Sequence, residues 1–320
     1  MRFPLRLMAT LCVAGISLCA AAQGTFPDRP IRMMSPSQPG GVADVILRVF
    51  AGHMAPSLGQ PVLVENRIGG GGVPSTEAIL RAPADGYLLA TGFIGHVVNP
   101  LIMPSWQFDF ERDFAPVTLL TMLPSVISVH PSVPAKNLQE LMALARRSKM
   151  SYASSGLSTS THLAGELLKS MAGVDLVHIP YKGGAPAMND VLGGQVPIII
   201  DSVVTTLPHV RAGKLRALAV TSSNRLGMLP DVPTVAESGF PGYEASGWIG
   251  IIGRVGTPAP VVKKLADEFQ RIAQLPSVRT QLSEKGAEIA VAGPESFSAF
   301  VKAERAKWSP VVKKAGIVIN

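Results

Sequence analysis

Six hydroxyl side chains crowd one short run: Ser154, Ser155, Ser158, Thr159, Ser160 and Thr161, with Gly156 among them. The run follows a strand-like stretch, Met150 to Ser155, and precedes a helical one that includes His162. Hydroxyls in such a place serve as a nucleophile, as a helix cap, or as a cradle for an anion. A nucleophile at a strand-to-helix elbow needs G-x-S-x-G, and Gly156-Leu157-Ser158-Thr159-Ser160 lacks the closing glycine. A triad of Ser158, His178 and Asp201 would have to assemble from distant segments, and nothing local supports it. One hydroxyl is enough to cap a helix, so capping does not account for the rest. A cradle does: the first N–H groups of a helix lack partners and its dipole is positive there, so a carboxylate gains several short hydrogen bonds without an arginine.

Two more segments have the same make-up. Pro36 to Asp44, PSQPGGVAD, leads from a strand into a helix, and Gly40-Gly41 lets a ligand come close to the backbone. Ile179 to Asp190, IPYKGGAPAMND, does so again through Gly183-Gly184. There Tyr181 offers a ring or a hydroxyl and Lys182 a charge, although an ordinary tight turn explains the glycines equally well. Asp201 closes the apolar run Val196 to Ile200 and either caps a neighbouring loop or faces a ligand crevice. His162, just inside its helix, reads as structural.

Other chemistries fail on spacing. The glycines at Gly69 to Gly72 form neither a G-x-x-x-x-G-K-[ST] loop nor G-x-G-x-x-G, because Pro74 stands where the last glycine belongs. The six histidines contain no H-E-x-x-H pair. No metal and no cofactor are expected.

The opening residues carry Arg2 and Arg6, then an apolar run from Leu7 to Leu18, then Ala20-Ala21-Ala22. This is the pattern of a secretory signal peptide cleaved after Ala22. Both cysteines, Cys12 and Cys19, lie in it. Each follows a leucine, which disfavours the alternative of a lipid attached at Cys19. The processed chain then has no cysteine for a disulfide, thiolate or zinc site. Net charge falls from +7 to +5 with Arg2 and Arg6. The remaining basic residues are scattered, so no nucleic-acid surface is expected. The 47% of hydrophobic residues and the length suit about two domains.

The elements that must hold these loops alternate. Strands are expected at Ile31 to Pro36, Pro61 to Asn66, Tyr87 to Gly92, Ser125 to His130, Met150 to Ser155, Leu176 to Tyr181, Val196 to Asp201, Leu215 to Thr221 and Trp248 to Gly253. Helical spacing marks Val45 to Ala55, Ser75 to Arg81, Leu138 to Lys149, the stretch after Thr161, Ala185 to Gly193, Thr205 to Ala212, the segment opened by Thr257-Pro258, and Phe297 to Ala315. Strand, glycine loop, helix, strand is the order of a parallel sheet with crossover helices.

Read end to end, the processed chain resembles the extracytoplasmic solute receptors of tripartite tricarboxylate transporters, the Bug family. The resemblance runs through FPDRPIRMMSP, PGGVAD, LGQPVLVENRIGGGG, PADGYLLATG, HLAGELLKSMAGVDLVHIPYKGGAPAMNDVLGGQVPIIID, GKLRALAVTS and LPDVPTVAESGFPGYE. It implies an α/β periplasmic binding protein of the two-domain, type II Venus flytrap kind, with mixed sheets flanked by helices and a ligand cleft between domains. The signal peptide would be residues 1–22, domain one 23–122 and 241–320, and domain two 123–240, with crossings near Leu120 to Pro124 and Glu237 to Gly247.

The resemblance also implies a non-catalytic, periplasmic, monomeric receptor. It would deliver a small carboxylate to a membrane permease with a large and a small integral subunit. The carboxylate would be held by backbone amides, hydroxyls and water. The expected contacts are Gln38, Gly40, Gly41, Val42, Ala43, Asp44, Gly92 and Phe93 on one jaw. On the other they are Ser154, Ser155, Ser158, Thr159, Ser160, Thr161, Tyr181, Gly183, Ala185, Asp201 and Ser202. Two stretches depart from the family pattern. Ser37-Gln38 stands where many relatives have an aromatic residue, and GGVPST replaces a glycine-asparagine-hydrophobic-glycine stretch. The ligand therefore stays open among di- and tricarboxylates, acidic amino acids, aromatic carboxylates and uncharged compounds. A partner sensor kinase and an exported serine hydrolase are the alternatives in function.

Overall fold

The computed structural model describes residues 26–318. The expected signal peptide and its cleavage site lie outside them. In chain order the strands and helices are β1 (Ile31–Ser35), α1 (Val42–Leu58), β2 (Val62–Asn66), α2 (Val73–Arg81), β3 (Leu88–Phe93), α3 (Gly95–Ile102), α4 (Phe110–Asp113), β4 (Phe114–Leu123), β5 (Ser125–Val129), α5 (Leu138–Arg147), β6 (Met150–Ser154), α6 (Ser160–Ala172), β7 (Leu176–Pro180), α7 (Gly184–Leu192), β8 (Ile198–Ser202), α8 (Val203–Arg211), β9 (Arg216–Val220), β10 (Gly247–Arg254), α9 (Ala259–Ala273), α10 (Pro276–Glu284), β11 (Glu288–Ala292) and α11 (Pro294–Ala315). A 3₁₀ turn at Gly70–Gly72 precedes α2.

The strands form two sheets, in the orders β11-β4-β10-β3-β1-β2 and β7-β6-β8-β5-β9. Strands β1, β2 and β3 run parallel, and so do β6, β7 and β8, while β10 and β5 run against their neighbours. Parallel runs need crossover helices, which the sequence supplies at α1, α2, α6 and α7. The chain leaves the first sheet at Leu123, passes Pro124 and enters the second at Ser125. It returns at Gly247, which pairs with Leu123.

Register fixes what faces these crossings. Ser125 pairs with Ser202, the last residue of β8, and Ile249 near the start of β10 pairs with Phe93, the last of β3. The carboxyl ends of the parallel strands of both sheets therefore point toward the crossings. The loops after β1, β3, β6, β7 and β8 are the glycine- and hydroxyl-rich segments picked out above.

The first sheet is buried on both faces. Helices α1, α9 and α10 cover one around Ile46, Phe50, Phe269 and Leu282. On the other, Ile79, Val98, Phe114 and Phe297 belong to a cluster that continues through Trp248, Tyr243 and Trp308 to Tyr152 and Leu163 beneath the second sheet. Helix α11 packs on α3, β4 and α6, so it spans both sheets. Its buried Glu304 accepts from the indoles of Trp248 at 3.2 Å and Trp308 at 3.0 Å, and it pairs with Lys307.

Five elements depart from the sequence expectation. α3, α4, β4, α10 and β11 occupy stretches in which no element was expected. Pro100 sits inside α3 and Pro116 inside β4, and proline argues against both types. β4 tolerates Pro116 because β11 pairs only with its far half, Leu119 to Met122, and the β10 ladder shifts register beside it.

Candidate functional site

The loop from β1 to α1 is built around Asp44, which is 1% exposed. Its carboxylate accepts from Gly40 N at 2.9 Å, Asn66 Nδ2 at 2.8 Å and Arg48 Nε at 3.0 Å. Its own N–H donates to Ser37 Oγ at 3.1 Å, and that hydroxyl meets Ser35 Oγ at 3.0 Å. Burial works against the charge, but Arg48, the Gly40 amide and Asn66 together hold the carboxyl below the usual range. In this structure the Asp44 oxygens, expected at the ligand, face inward and shape the loop. Gly41 caps α1 without a side-chain oxygen, so no cap side chain engages the N–H groups of Val42 and Ala43, while that of Asp44 is taken by Ser37. Gly40 takes φ +79°, with open space where a side chain would stand. Gln38 is exposed, beside this opening.

Of the other two residues expected on this jaw, Gly92 is buried, and a β-carbon there would meet Ile252 and Phe297 at 3.2 and 3.4 Å. Here it packs against the core. Phe93 is half-buried. Its ring fills the space above Gly72 and Gly95, where added β-carbons would lie 2.4 and 2.3 Å from it. It meets the His96 ring edge-on at 4.7 Å.

In the second sheet the hydroxyl cluster is largely spent on itself. Thr159 caps α6 by accepting from His162 N at 3.3 Å, and it donates to Gly156 O at 2.7 Å. Thr161 Oγ1 accepts from Ser155 N at 3.1 Å and lies 2.8 Å from Ser155 Oγ and 3.0 Å from Thr159 Oγ1. These hydroxyls fix the loop's shape and, with His162, take up the N–H groups of Ser155, Gly156, Ser158 and His162, so the Ser158 and Ser160 hydroxyls and the N–H groups of Ser160 and Thr161 are what remain to meet a ligand. Ser158 is held at φ +55°, a left-handed conformation that a serine rarely adopts. Ser160 Oγ abuts Gly247, where a β-carbon would come within 2.8 Å, so α6 touches the return crossing.

The β7–α7 loop sits alongside, with Tyr181 N donating to Ser154 O at 3.2 Å and Gly183 N to Ser155 O at 3.1 Å. Tyr181 OH is tied to Asp190 at 2.6 Å, which leaves its ring as the free surface. Gly183, at φ +112°, caps α7 with no side-chain oxygen, and Ala185 in the first turn is exposed. Gly184 lies against Asp201: an added β-carbon would come within 2.6 Å of Oδ2. Asp201 is 4% exposed, and burial pushes its carboxyl up despite the 2.8 Å bond from Thr205 Oγ1. Ser202 caps α8 by accepting from Val204 N at 3.4 Å.

Two histidines carry more of this site than their spacing suggested. His178 Nε2 lies 2.6 Å from Ser154 Oγ, and His162 Nδ1 accepts from Ser158 N at 3.3 Å. The triad of Ser158, His178 and Asp201 does not assemble. The serine beside His178 is Ser154, which is fully buried, and Asp201 is engaged by Thr205. No signal in a single sequence marks this arrangement, because β6, β7 and α6 bring the rings together only when folded. Among the described residues, no group of three acidic, histidine or cysteine side chains is placed to hold a metal ion, and no helix is long and apolar enough to cross a membrane.

The family described as tripartite tricarboxylate transporter family receptor matches residues 46–317. Protein BugT of Bordetella pertussis is 36% identical over 319 residues, covering 97% of this chain and 98% of its own. A solved structure of R. palustris Rpa4515 with adipate superposes with a TM-score of 0.83 at 34% identity, covering 92% of this chain and 99% of that one. MatC (Rpa3494) from Rhodopseudomonas palustris with bound malate does so with a TM-score of 0.77 at 31% identity, covering 90% and 100%.

Proposed function

This chain belongs to the tripartite tricarboxylate transporter family of receptors, and from that premise we propose that it is a periplasmic receptor gripping a small organic acid between its two sheets. The observation that carries this reading is a pair of helix starts whose N-cap is a glycine with no side-chain oxygen, α1 at Gly41 and α7 at Gly183. They follow the carboxyl ends of parallel strands in opposite sheets, and the second lies beside the α6 loop. Each brings N–H groups that no cap side chain engages and the positive end of a helix dipole, which suits a carboxylate in a crevice at a sheet's carboxyl edge.

The two sheets act as lobes, residues 23–122 with 241–320 and residues 123–240, hinged at Pro124 and just before Gly247. Ligand contacts come from Gln38, Gly40 to Ala43 and Phe93 on the first lobe. On the second they come from the loop Ser155 to Thr161, with the Ser158 and Ser160 hydroxyls free in it, and from Tyr181, Gly183, Ala185 and the Asp201–Ser202 edge. Closure is driven by contacts that exist only when both lobes touch the acid. The closed, monomeric receptor then presents the acid to a permease of one large and one small membrane subunit. Because relatives carry adipate and malate, dicarboxylates are the first candidates.

A thermal-shift screen against adipate, malate, glutamate, benzoate and nicotinamide tests the reading. A ligand that binds only the folded state raises Tm with its excess over Kd, by about 2.7 kcal/mol of stability at a hundredfold excess. The expected result is a rise with one acid and none with its methyl ester. A rise with nicotinamide alone would keep the receptor and discard the carboxylate.

A further inference from the structure

The His162 and His178 rings stack with centroids 3.9 Å apart and planes 13° from parallel. His178 stands on β7 and also stacks on Tyr152 of β6, at 4.9 Å. The free nitrogens of the pair grip the two ends of one loop. His178 Nε2 bonds Ser154 Oγ where β6 ends, and that same hydroxyl accepts from Gly156 N at 3.2 Å. His162 Nδ1 accepts from the N–H of Ser158, the residue in the left-handed region. We infer that the stacked imidazoles are a positioning clamp for the ligand-binding loop, holding Ser154 to Ser158 in the strained shape that binds the acid. The role of this loop as one jaw rests on the function proposed above.

Three features argue that the clamp works with both rings neutral. His162 can accept from Ser158 only through an unprotonated Nδ1, which places its proton on Nε2, toward Glu166 Oε1 at 4.0 Å. Two cations stacked at this distance would repel. His162 is 3% exposed, and burial, with Lys169 nearby, lowers it to about 4; burial lowers His178 to about 3. The charged and titratable groups facing the pair are Glu166 and Lys169 of α6, Tyr152 of β6 and Tyr243 ahead of β10. Tyr152 donates to Glu166 at 2.8 Å, Lys169 pairs with it at 2.9 Å, and Tyr243 donates to Ala164 O at 2.9 Å. Glu166 is thus taken up by Tyr152 and Lys169 and offers His162 no ion pair at contact distance. A left-handed serine is disfavoured and persists only where its surroundings hold it.

The test combines amide hydrogen exchange without ligand and calorimetric titration with adipate. His162→Phe keeps a stacking ring and removes the acceptor. His162→Asn puts an oxygen near the place of Nδ1. His178→Gln puts an amide near the place of Nε2. In His162→Phe, exchange at the Ser158 amide is expected to rise at least tenfold and adipate affinity to fall about tenfold. Both should recover in His162→Asn. Ser158→Gly added to His162→Phe should restore affinity, because glycine adopts this backbone without a clamp. Unchanged Ser158 exchange in His162→Phe would overturn the clamp whatever the titration gives. Should that variant not fold, His178→Leu, which loses the bond to Ser154 that His178→Gln keeps, is expected to raise exchange at the Gly156 amide at least tenfold; unchanged exchange in His178→Leu, or His162→Asn exchanging as fast as unfolded chain, overturns the clamp. A wild-type protein that binds no acid while Ser158 stays protected would leave the clamp standing and overturn the binding site instead.

Discussion

Asp44 and Gly184 show how single residues build the site without touching its contents. Replacing Asp44 by alanine leaves the Gly40 amide, the Asn66 amide and the Arg48 guanidinium without their acceptor. Stability should fall by about 1–3 kcal/mol, as for other buried groups that lose a partner. Gly184→Ala drives a β-carbon onto the Asp201 carboxylate, and overpacking of this kind costs about 1–3 kcal/mol. Both losses are read as shifts in the urea midpoint at unchanged slope, and acid binding should weaken in each. The glycines and hydroxyls of the site were legible in the sequence because helix starts after strands have a recognisable make-up. The inward turn of Asp44 was not. It depends on Asn66, twenty-two positions along, which arrives only because Ser35 pairs with Asn66 between β1 and β2. The mutual bonding of Ser155, Thr159 and Thr161 is hidden for the same reason: composition shows donors and acceptors, not which of them meet.

Among the elements, the alternating strands and helices of both sheets could be read from periodicity to within a few residues. β4 could not, because it is central yet contains Pro116, and β11 is a short edge strand. These two strands matter for movement. In the order β11-β4-β10-β3-β1-β2, β11 lies on the opposite side of the β4–β10 pair from the loops that meet the acid. Gly286, at φ +61° just before β11, presses on α8 of the other sheet, and an added β-carbon would come within 2.5 Å of Val203 and Val204 side chains. A cavity of about 120 Å³ lined by Pro124, Val203, Met228 and Glu288 adjoins it. Gly286→Asn, a residue that tolerates this left-handed backbone, should therefore wedge the rear of the hinge and tilt the ligand-free protein toward the closed arrangement. Small-angle scattering should give a ligand-free radius of gyration near that of the acid-saturated wild type. A radius equal to that of the ligand-free wild type would mean the hinge does not pivot at Pro124.

For the whole molecule, the buried His96 and His162 and the half-buried His178 set the response to acid. Burial lowers His96 to about 4, His162 to about 4 and His178 to about 3, from 6.5. A base whose folded value is depressed contributes stability that is complete above pH 6.5 and is lost as pH falls toward the folded value. Each unit of such a difference is worth about 1.4 kcal/mol per group. Asp201 and Glu288, raised by burial, act in the opposite direction, but they are two groups against three. Tm should drop steadily between pH 6.5 and 4, and His178→Gln should flatten part of that slope. A Tm constant across this window would mean that these rings are charged or exposed in solution.

The central claim is that two lobes close on a carboxylate, and calorimetric titration of the wild-type protein with adipate, malate and their dimethyl esters tests it most directly. The account predicts that one of the acids saturates at one equivalent and that its ester gives no heat. Equal binding of acid and ester, sustained heat without saturation, or no binding of either acid would contradict it.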